Sequence, residues 1–388
     1  MHRVLFLSHT YIDPATRGKL RALAARGLEV TVAVPQRWRE HTLGRAIETA
    51  WERQSGVEVF PVPVSRSGDP MLARFGRRAL GALVRDKRPD LIQVEEEPTS
   101  IAARQAVTVA GRLGIPAVLF SADSVRRLPL FTRWRRRRLL RRLRGFLAGN
   151  AAAAELAQRE APALPVAVVP QLGVPVPTAP EHQPHEGLAI GYVGRLVPEK
   201  GVDTLLQALA LNRDAPWHLT VVGDGPDRER LESLASAHRL AARVRWLGAL
   251  PPASLPRVWT TIDVLVLPSR QGERWNEPTG NVLAEAMAHE VAVVGAATGV
   301  IPELIGDGDA GVIVPPGEPK ALADVLRRLG AAEARIPYAK AARARALRLF
   351  SDDAVAERTM EFWQAIMQTS DVVHQTSDVG RQTSATDV

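Results

Sequence analysis

The chain has 388 residues, no cysteine and a net charge of +8, with 46% apolar and 24% charged residues. The missing cysteine excludes a disulfide framework and a thiolate metal site, and the length exceeds one ordinary core, so a folded chain of two domains is expected. Nearly all the cations are arginine, and a basic excess favours polyanionic partners: nucleic acid, anionic lipid or phosphorylated substrates.

The N-terminal "MHRVLFLSHTYIDP" has too short an apolar run for a signal-peptide core and no small-residue cleavage site. No apolar run reaches the roughly 18 residues that would span a bilayer. The expected location is cytoplasmic, with peripheral attachment to the inner face of the plasma membrane as an extension of that reading.

From the start, "RVLFLS", the amphipathic "RGKLRALAARGLEVTVAVP" and its apolar end predict strand, helix, strand. Short apolar strands follow at 90–95, 115–121, 146–150 and 165–170. Alternation with helices predicts right-handed crossovers and a parallel sheet covered on both faces. The proline-dense 171–187, "QLGVPVPTAPEHQPHEG", reads as a linker. A second alternating series occupies 188–345, and 346–369 predicts a helix packing back towards the first domain, 1–170. The polar heptad repeat "QTSDV", at 368–372 and 375–379, lacks a sustained apolar pair, and 370–388 is expected to be a disordered tail. The fold class is therefore α/β, two doubly wound Rossmann-like domains, whose strand carboxyl ends would face each other across a cleft.

Four loops of the second domain follow strands. "GRLVPEKGVD" carries Gly194, Arg195 and Lys200; "GDGP" carries Gly223 and Gly225; "WLG" carries Trp246 and Leu247; and "PSRQGERWNEPTGNVLAEAM" carries Glu277 and Glu285, eight positions apart. In one continuous helix that spacing would separate the glutamates by about 12 Å and rotate them by about 80°, which excludes an acid and base pair on one atom. They could instead bracket an extended ligand. With Pro278 and Gly280 in the loop and a helix starting near Asn281, the N–H groups of Gly280, Asn281 and Val282 would point at an anion between the carboxylates. Arg195 and Lys200 could bind the same anion. Taken alone they read as surface charges, and Glu285 as an ordinary acid of a helix N-terminus.

The run from about 190 to 326 resembles GT-B, family 4 type retaining glycosyltransferases. It shares the "GRL..EKG" loop, the "GDGP" turn, the paired glutamates with "EAMA", then "IPELI" and "GVIVPPGEP.ALA". The resemblance implies that 188–345 binds a nucleotide sugar as donor substrate, with no cofactor and no metal. Catalysis would rest on Glu277, Arg195 and Lys200, the cations on the diphosphate and Glu277 on the sugar hydroxyls. Glu285 would take the ribose. Thr279, Gly280, Asn281 and Val282 would lie at the sugar or phosphate, and Gly194, Gly223, Gly225, Trp246 and Leu247 around the donor and its base. The N-terminal domain would hold the acceptor, a glycan or lipid-linked glycan of the cell envelope. An epimerase or phosphorylase on the same fold is the enzymatic alternative, and a basic nucleic-acid-binding protein the non-enzymatic one, unsupported by any nucleic-acid-binding motif.

The sequence departs from the family at "AMAHE", where Glu290 replaces a usual glycine, and at "FSADSVRR", which lacks the usual acceptor-side histidine. Ser121 or Asp123 would line that site instead, and the usual N-terminal double glycine is reduced to Gly18. His9 reads either as an acceptor or phosphate contact or as structural. "VEEEP", with Glu97, reads either as a solvated loop or as part of the acceptor side. The segment 126–144 holds ten arginines in nineteen residues. Arg133, Trp134, Arg135, Arg136, Arg137, Arg138, Arg141 and Arg142 suit an anionic membrane surface; a solvated helix with its leucines buried on the sheet is the plainer reading, compatible with the first.

Overall fold

The computed structural model describes residues 1–40, 45–123, 128–272, 277, 279–306 and 308–382. The chain forms two compact units, 1–173 together with 352–388, and 174–351.

In the first unit, strands β1 (Arg3–Leu7), β2 (Glu29–Pro35), β3 (Glu52–Gln54), β4 (Val57–Val62), β5 (Leu91–Glu95), β6 (Ala117–Ser121), β7 (Gly145–Ala148) and β8 (Val166–Val168) form one sheet, ordered β8-β7-β6-β5-β1-β2-β4-β3. All neighbours are parallel except β3, which runs antiparallel to β4. The period of two sorts the side chains: Leu5 and Leu7 face one core, Val4 and Phe6 the other. The first core is closed by helices α2 (Arg77–Lys87), α3 (Ile101–Arg112), α4 (Leu130–Leu140) and α5 (Ala151–Glu160), the second by α1 (Gly18–Ala25) and the C-terminal helix.

The second unit has strands β9 (Leu188–Val193), β10 (Trp217–Val222), β11 (Val244–Gly248), β12 (Val264–Leu267), β13 (Ala292–Ala296) and β14 (Val312–Val314), ordered β11-β10-β9-β12-β13-β14 and parallel throughout. Chain direction across the sheet reverses between β9 and β12, the position where open α/β sheets bind ligands beyond their carboxyl ends. Its helices are α6 (Val202–Leu211), α7 (Arg228–Ala237), α8 (Leu255–Trp259), α9 (Asn281–Ala288), α10 (Ile301–Ile305), α11 (Pro319–Leu329) and α12 (Ala332–Leu349).

The boundaries differ from the expected ones in three places. Residues 174–187 belong to the second unit: Gln183 N–H donates to the Thr260 carbonyl at 2.8 Å, and Arg343 donates to the Pro177 carbonyl at 2.7 Å. A proline-rich stretch without periodicity can still be held through its carbonyls. The C-terminal helix breaks at Phe350–Ser351, so 346–349 end α12, and α13 (Asp352–Gln382) starts afresh with two aspartates at its positive end. Helical backbone is continuous to Gln382, across part of the 370–388 segment. Residues 383–388 lie outside the described residues.

The start of α13 packs on the first unit. Trp363 is fully buried, donates from Nε1 to Gln93 at 3.0 Å and meets the Phe6 ring at 5.8 Å. Among the described residues no helix is long and apolar enough to cross a membrane.

Candidate functional site

The chemistry-bearing loops of the second unit converge at the carboxyl ends of β9 and β12. Gly194 N–H donates to Val222 O, Leu196 N–H to Asp224 O and Gly223 N–H to Gly248 O, at 2.8–2.9 Å. These bonds stitch the "GRL", "GDGP" and "WLG" loops together through their backbones. Gly223 and Gly225 have φ of 136° and 158°, and a Cβ on either would overlap the carbonyl of Gly194 or Leu196. Their glycine character is thus set by the approach of one loop to another. Trp246 and Leu247 are half-buried against the core, at a bulge where Val221 pairs with Trp246 and Val222 with Gly248.

Lys200 Nζ donates to Glu277 Oε2 at 2.6 Å, and Ser269 Oγ donates to the same oxygen at 2.8 Å. Glu277 is 4% exposed. Spacing alone leaves Lys200 and Glu277 as separate ligand contacts; the structure makes them an ion pair. The sequence alone does not single out Ser269; its place two positions past the end of β12 is the available signal. Tyr192 is a second such residue. Its hydroxyl donates to Arg195 O at 2.8 Å, and burial, followed by the nearby Glu277 carboxylate, holds the phenol well above its usual range. Arg195 is exposed and makes no ion pair among the described residues. Arg270 N–H donates to Glu199 O at 2.8 Å and its guanidinium to Asp203 at 2.7 Å, which ties the Lys200 loop to the loop after β12.

Helix α9 begins after Gly280, whose φ of 56° only glycine adopts without strain, and no side chain caps its first turn. Thr279 and Asn281 are exposed and Val282 is half-buried. Glu285 lies on α9, its carboxyl pushed from 4.5 up to about 7 by burial. Its carboxylate has no hydrogen-bond partner among the described residues, unlike that of Glu277. Pro278 and 273–276 lie outside the described residues. At the end of α9, Glu290 has φ of 59°, which explains why a glycine is at home there.

In the first unit, the carboxyl ends of β1, β5 and β6 bring His9, Glu97, Ser121 and Asp123 together. His9 Nδ1 lies 2.8 Å from Glu96 Oε1, and its ring stacks on Trp38 at 4.9 Å. Ser121 donates to Glu97, and Asp123 N–H donates to Ser121 Oγ at 3.0 Å. Burial, opposed by the Ser121 hydrogen bond and reinforced by Asp123 and Glu96, raises the Glu97 carboxyl to about 7.

Three expectations need correction here. "VEEEP" is not a solvated loop: Glu95 is 2% and Glu96 4% exposed, and Glu95 accepts from Lys19 at 2.6 Å and Tyr11 at 2.7 Å. Three consecutive acids read as surface until buried donors are known. Gly18, expected on the acceptor side as the remnant of the double glycine, is covered on its Cα face, where a Cβ would overlap the Asp352 carboxylate at the start of α13. The third concerns the arginine segment. Arg136 is 3% exposed and forms a bidentate pair with Glu160, at 2.6 and 2.8 Å, so it is no surface residue.

The rest of α4 divides sharply. Leu139 and Leu140 enter the core, whereas Leu130, Phe131 and Trp134 are 83%, 65% and 54% exposed. Phe131 and Trp134 stack at 6.0 Å, with Arg135 over the first ring and Arg138 over the second. Arg133, Arg141 and Arg142 are exposed, and Arg135 and Arg137 half-buried.

Two family models match: "Glycosyl transferase 4-like domain" over residues 12–172 and "Glycosyl transferases group 1" over 179–345. A 2-deoxystreptamine glucosyltransferase of Streptomyces kanamyceticus is 34% identical over 188 residues, 46% of this chain and 47% of that protein. The chain spans about a third to a half of the length of the first curated relatives it matches. In fold it is similar to a sucrose-phosphate synthase of Thermosynechococcus elongatus, with TM-score 0.73 and 18% identity over 95% of this chain and all of that one. It is likewise similar to Anabaena HepE in complex with UDP and glucose, with TM-score 0.67 and 19% identity over 94% of this chain and all of that one.

Proposed function

The chain belongs to the group 1 glycosyl transferases, with the GT-B fold, and on that premise we propose that it moves a sugar from a nucleoside diphosphate to an acceptor with retention of configuration. The observation that carries this reading is the Lys200–Glu277 pair at the sheet reversal, beside the uncapped N-terminus of α9. Arg195, Lys200 and the first N–H groups of α9 supply positive charge for a departing diphosphate. Glu277, held by Ser269 and Lys200, accepts hydrogen bonds from the sugar hydroxyls, and Glu285 accepts from the ribose. The anomeric carbon–phosphate oxygen bond breaks as the acceptor oxygen bonds to the same face, and the acceptor proton passes to the leaving phosphate oxygen. The reading needs no metal.

The acceptor in this proposal is a lipid-linked or cell-envelope glycan held by the first unit, near His9, Glu97, Ser121 and Asp123. The exposed aromatic and arginine face of α4 favours work at an anionic membrane surface, where each cation adds roughly 1 kcal/mol. Transfer or hydrolysis measured with a panel of nucleotide sugars tests the function, and the anomeric configuration of the product tests retention. Undiminished activity of the Arg195→Ala, Lys200→Ala, Glu277→Ala triple variant would overturn the site assignment.

A further inference from the structure

A groove of about 1460 Å³ runs over the first unit between α2, α3 and α4. It begins at Pro98 and Thr99, directly after Glu97, and ends beside Arg112, Leu113 and Arg142. Its floor, α3, has 12 residues, a length of about 18 Å that can hold a hydrocarbon chain lengthwise. Eight arginines and no carboxylate line it among the described residues, alternating with apolar groups such as Leu72, Val107, Val109 and Leu139. An all-cationic lining without acids repels itself and is relieved by a bound anion.

A second concavity of about 390 Å³ adjoins it, lined by Trp134, Arg137, Arg138, Arg141 and Arg142. Trp134, Arg138 and Arg142 belong to both cavities. Among the described residues Arg137 Nε is buried and has no acceptor, although a buried guanidinium N–H normally finds one. Beside this concavity stand the exposed Phe131 and Trp134 rings.

We propose that these two cavities form one site for a single anionic lipid, its phosphate on Arg137, Arg138, Arg141 and Arg142 and its hydrocarbon chain in the groove along α3. Phosphate alone would account for the arginines, and a soluble polyanion for the charge of the whole face. Neither accounts for the apolar side chains set between those arginines, Leu72, Val107, Val109 and Leu139, or for the exposed Phe131 and Trp134 rings beside them, which is what selects a lipid. The proposal rests on the membrane reading above and narrows it from a surface that adheres to a site that extracts one molecule. Because the groove starts beside Glu97, the lipid chain would run towards the acceptor side of the unit.

The test is calorimetric titration of the full chain with dihexanoyl phosphatidylglycerol below its micelle concentration, with dihexanoyl phosphatidylcholine and inorganic phosphate as controls. One-to-one binding of the anionic lipid is expected, weakened roughly tenfold or more by the loss of charge-assisted contacts in Arg137→Ala/Arg141→Ala. Thr108→Trp fills the groove without altering charge, and Thr132→Trp does so from α4; each is expected to weaken short-lipid binding to a similar degree. Equal affinity for inorganic phosphate, or short-lipid binding unchanged in both tryptophan variants, would overturn the site. Flotation with phosphatidylcholine vesicles, with and without phosphatidylglycerol, separates the two readings. Short-lipid binding without flotation would end the membrane reading and leave the site standing, whereas flotation without saturable short-lipid binding would do the reverse.

Discussion

The two units share a doubly wound architecture and differ in what stands at their strand ends. In the second unit the loops are joined backbone to backbone at Gly194, Gly223 and Gly248 and by the Lys200–Glu277 pair, while Arg195 is exposed, the Glu285 carboxylate has no hydrogen-bond partner among the described residues and no side chain caps the first turn of α9. In the first unit the strand ends are joined side chain to side chain: Lys19 and Tyr11 to Glu95, His9 to Glu96, Ser121 to Glu97. The glycine-built loops still leave Arg195 and the Glu285 carboxylate for a ligand, whereas the carboxylate-built loops spend many of their polar side chains on holding themselves. Motifs of the first kind are visible as short fixed strings, and those of the second kind are scattered over the sequence from Ser8 to Ser121.

Comparing one lysine from each unit should give the largest effects. Lys19→Met leaves the fully buried Glu95 with the Tyr11 hydroxyl but without its countercharge, and is expected to cost about 3–5 kcal/mol of stability, measured by urea denaturation. Lys200→Met leaves Glu277 with Ser269 and should act mainly on catalysis, lowering kcat by about 10²–10³ in a steady-state assay. If Lys200→Met lost only stability, the distinction between the units would fail.

Within the arginine segment the same contrast holds on a smaller scale. Arg136→Ala is expected to destabilise the first unit by about 3 kcal/mol through the abandoned Glu160, while Arg138→Ala should stay within about 0.5 kcal/mol. Chemical denaturation of the two variants side by side checks this.

The smallest effect is on pH dependence. The Glu285 carboxyl is raised from 4.5 to about 7, so between those values the folded state holds a proton that the unfolded state has lost. Its contribution to stability therefore falls as pH rises through that window, and Glu285→Gln should flatten the slope there. Ribose hydroxyls donate to the ionised carboxylate, so nucleotide affinity should increase as pH rises through about 7 and level off above it. Titration calorimetry at several pH values, with Glu285→Gln as the pH-insensitive comparison, checks the sign.

The sequence by itself determined much of the second unit: alternating strands and helices, the order of the glycine loops, and a helix start next to Asn281. Backbone conformations and strand periodicity are local, and Gly223, Gly225 and Gly280 report them one residue at a time. Only the tertiary structure decided that Lys200 pairs with Glu277, that Arg136 is a core residue among surface arginines, and that Gly18 is covered by Asp352. Each joins residues 24 or more positions apart, and the burial that selects a partner for a charge depends on which elements pack together. A run of arginines looks uniform along the chain, and only the helix surface separates the one held by Glu160 from those left open to solvent.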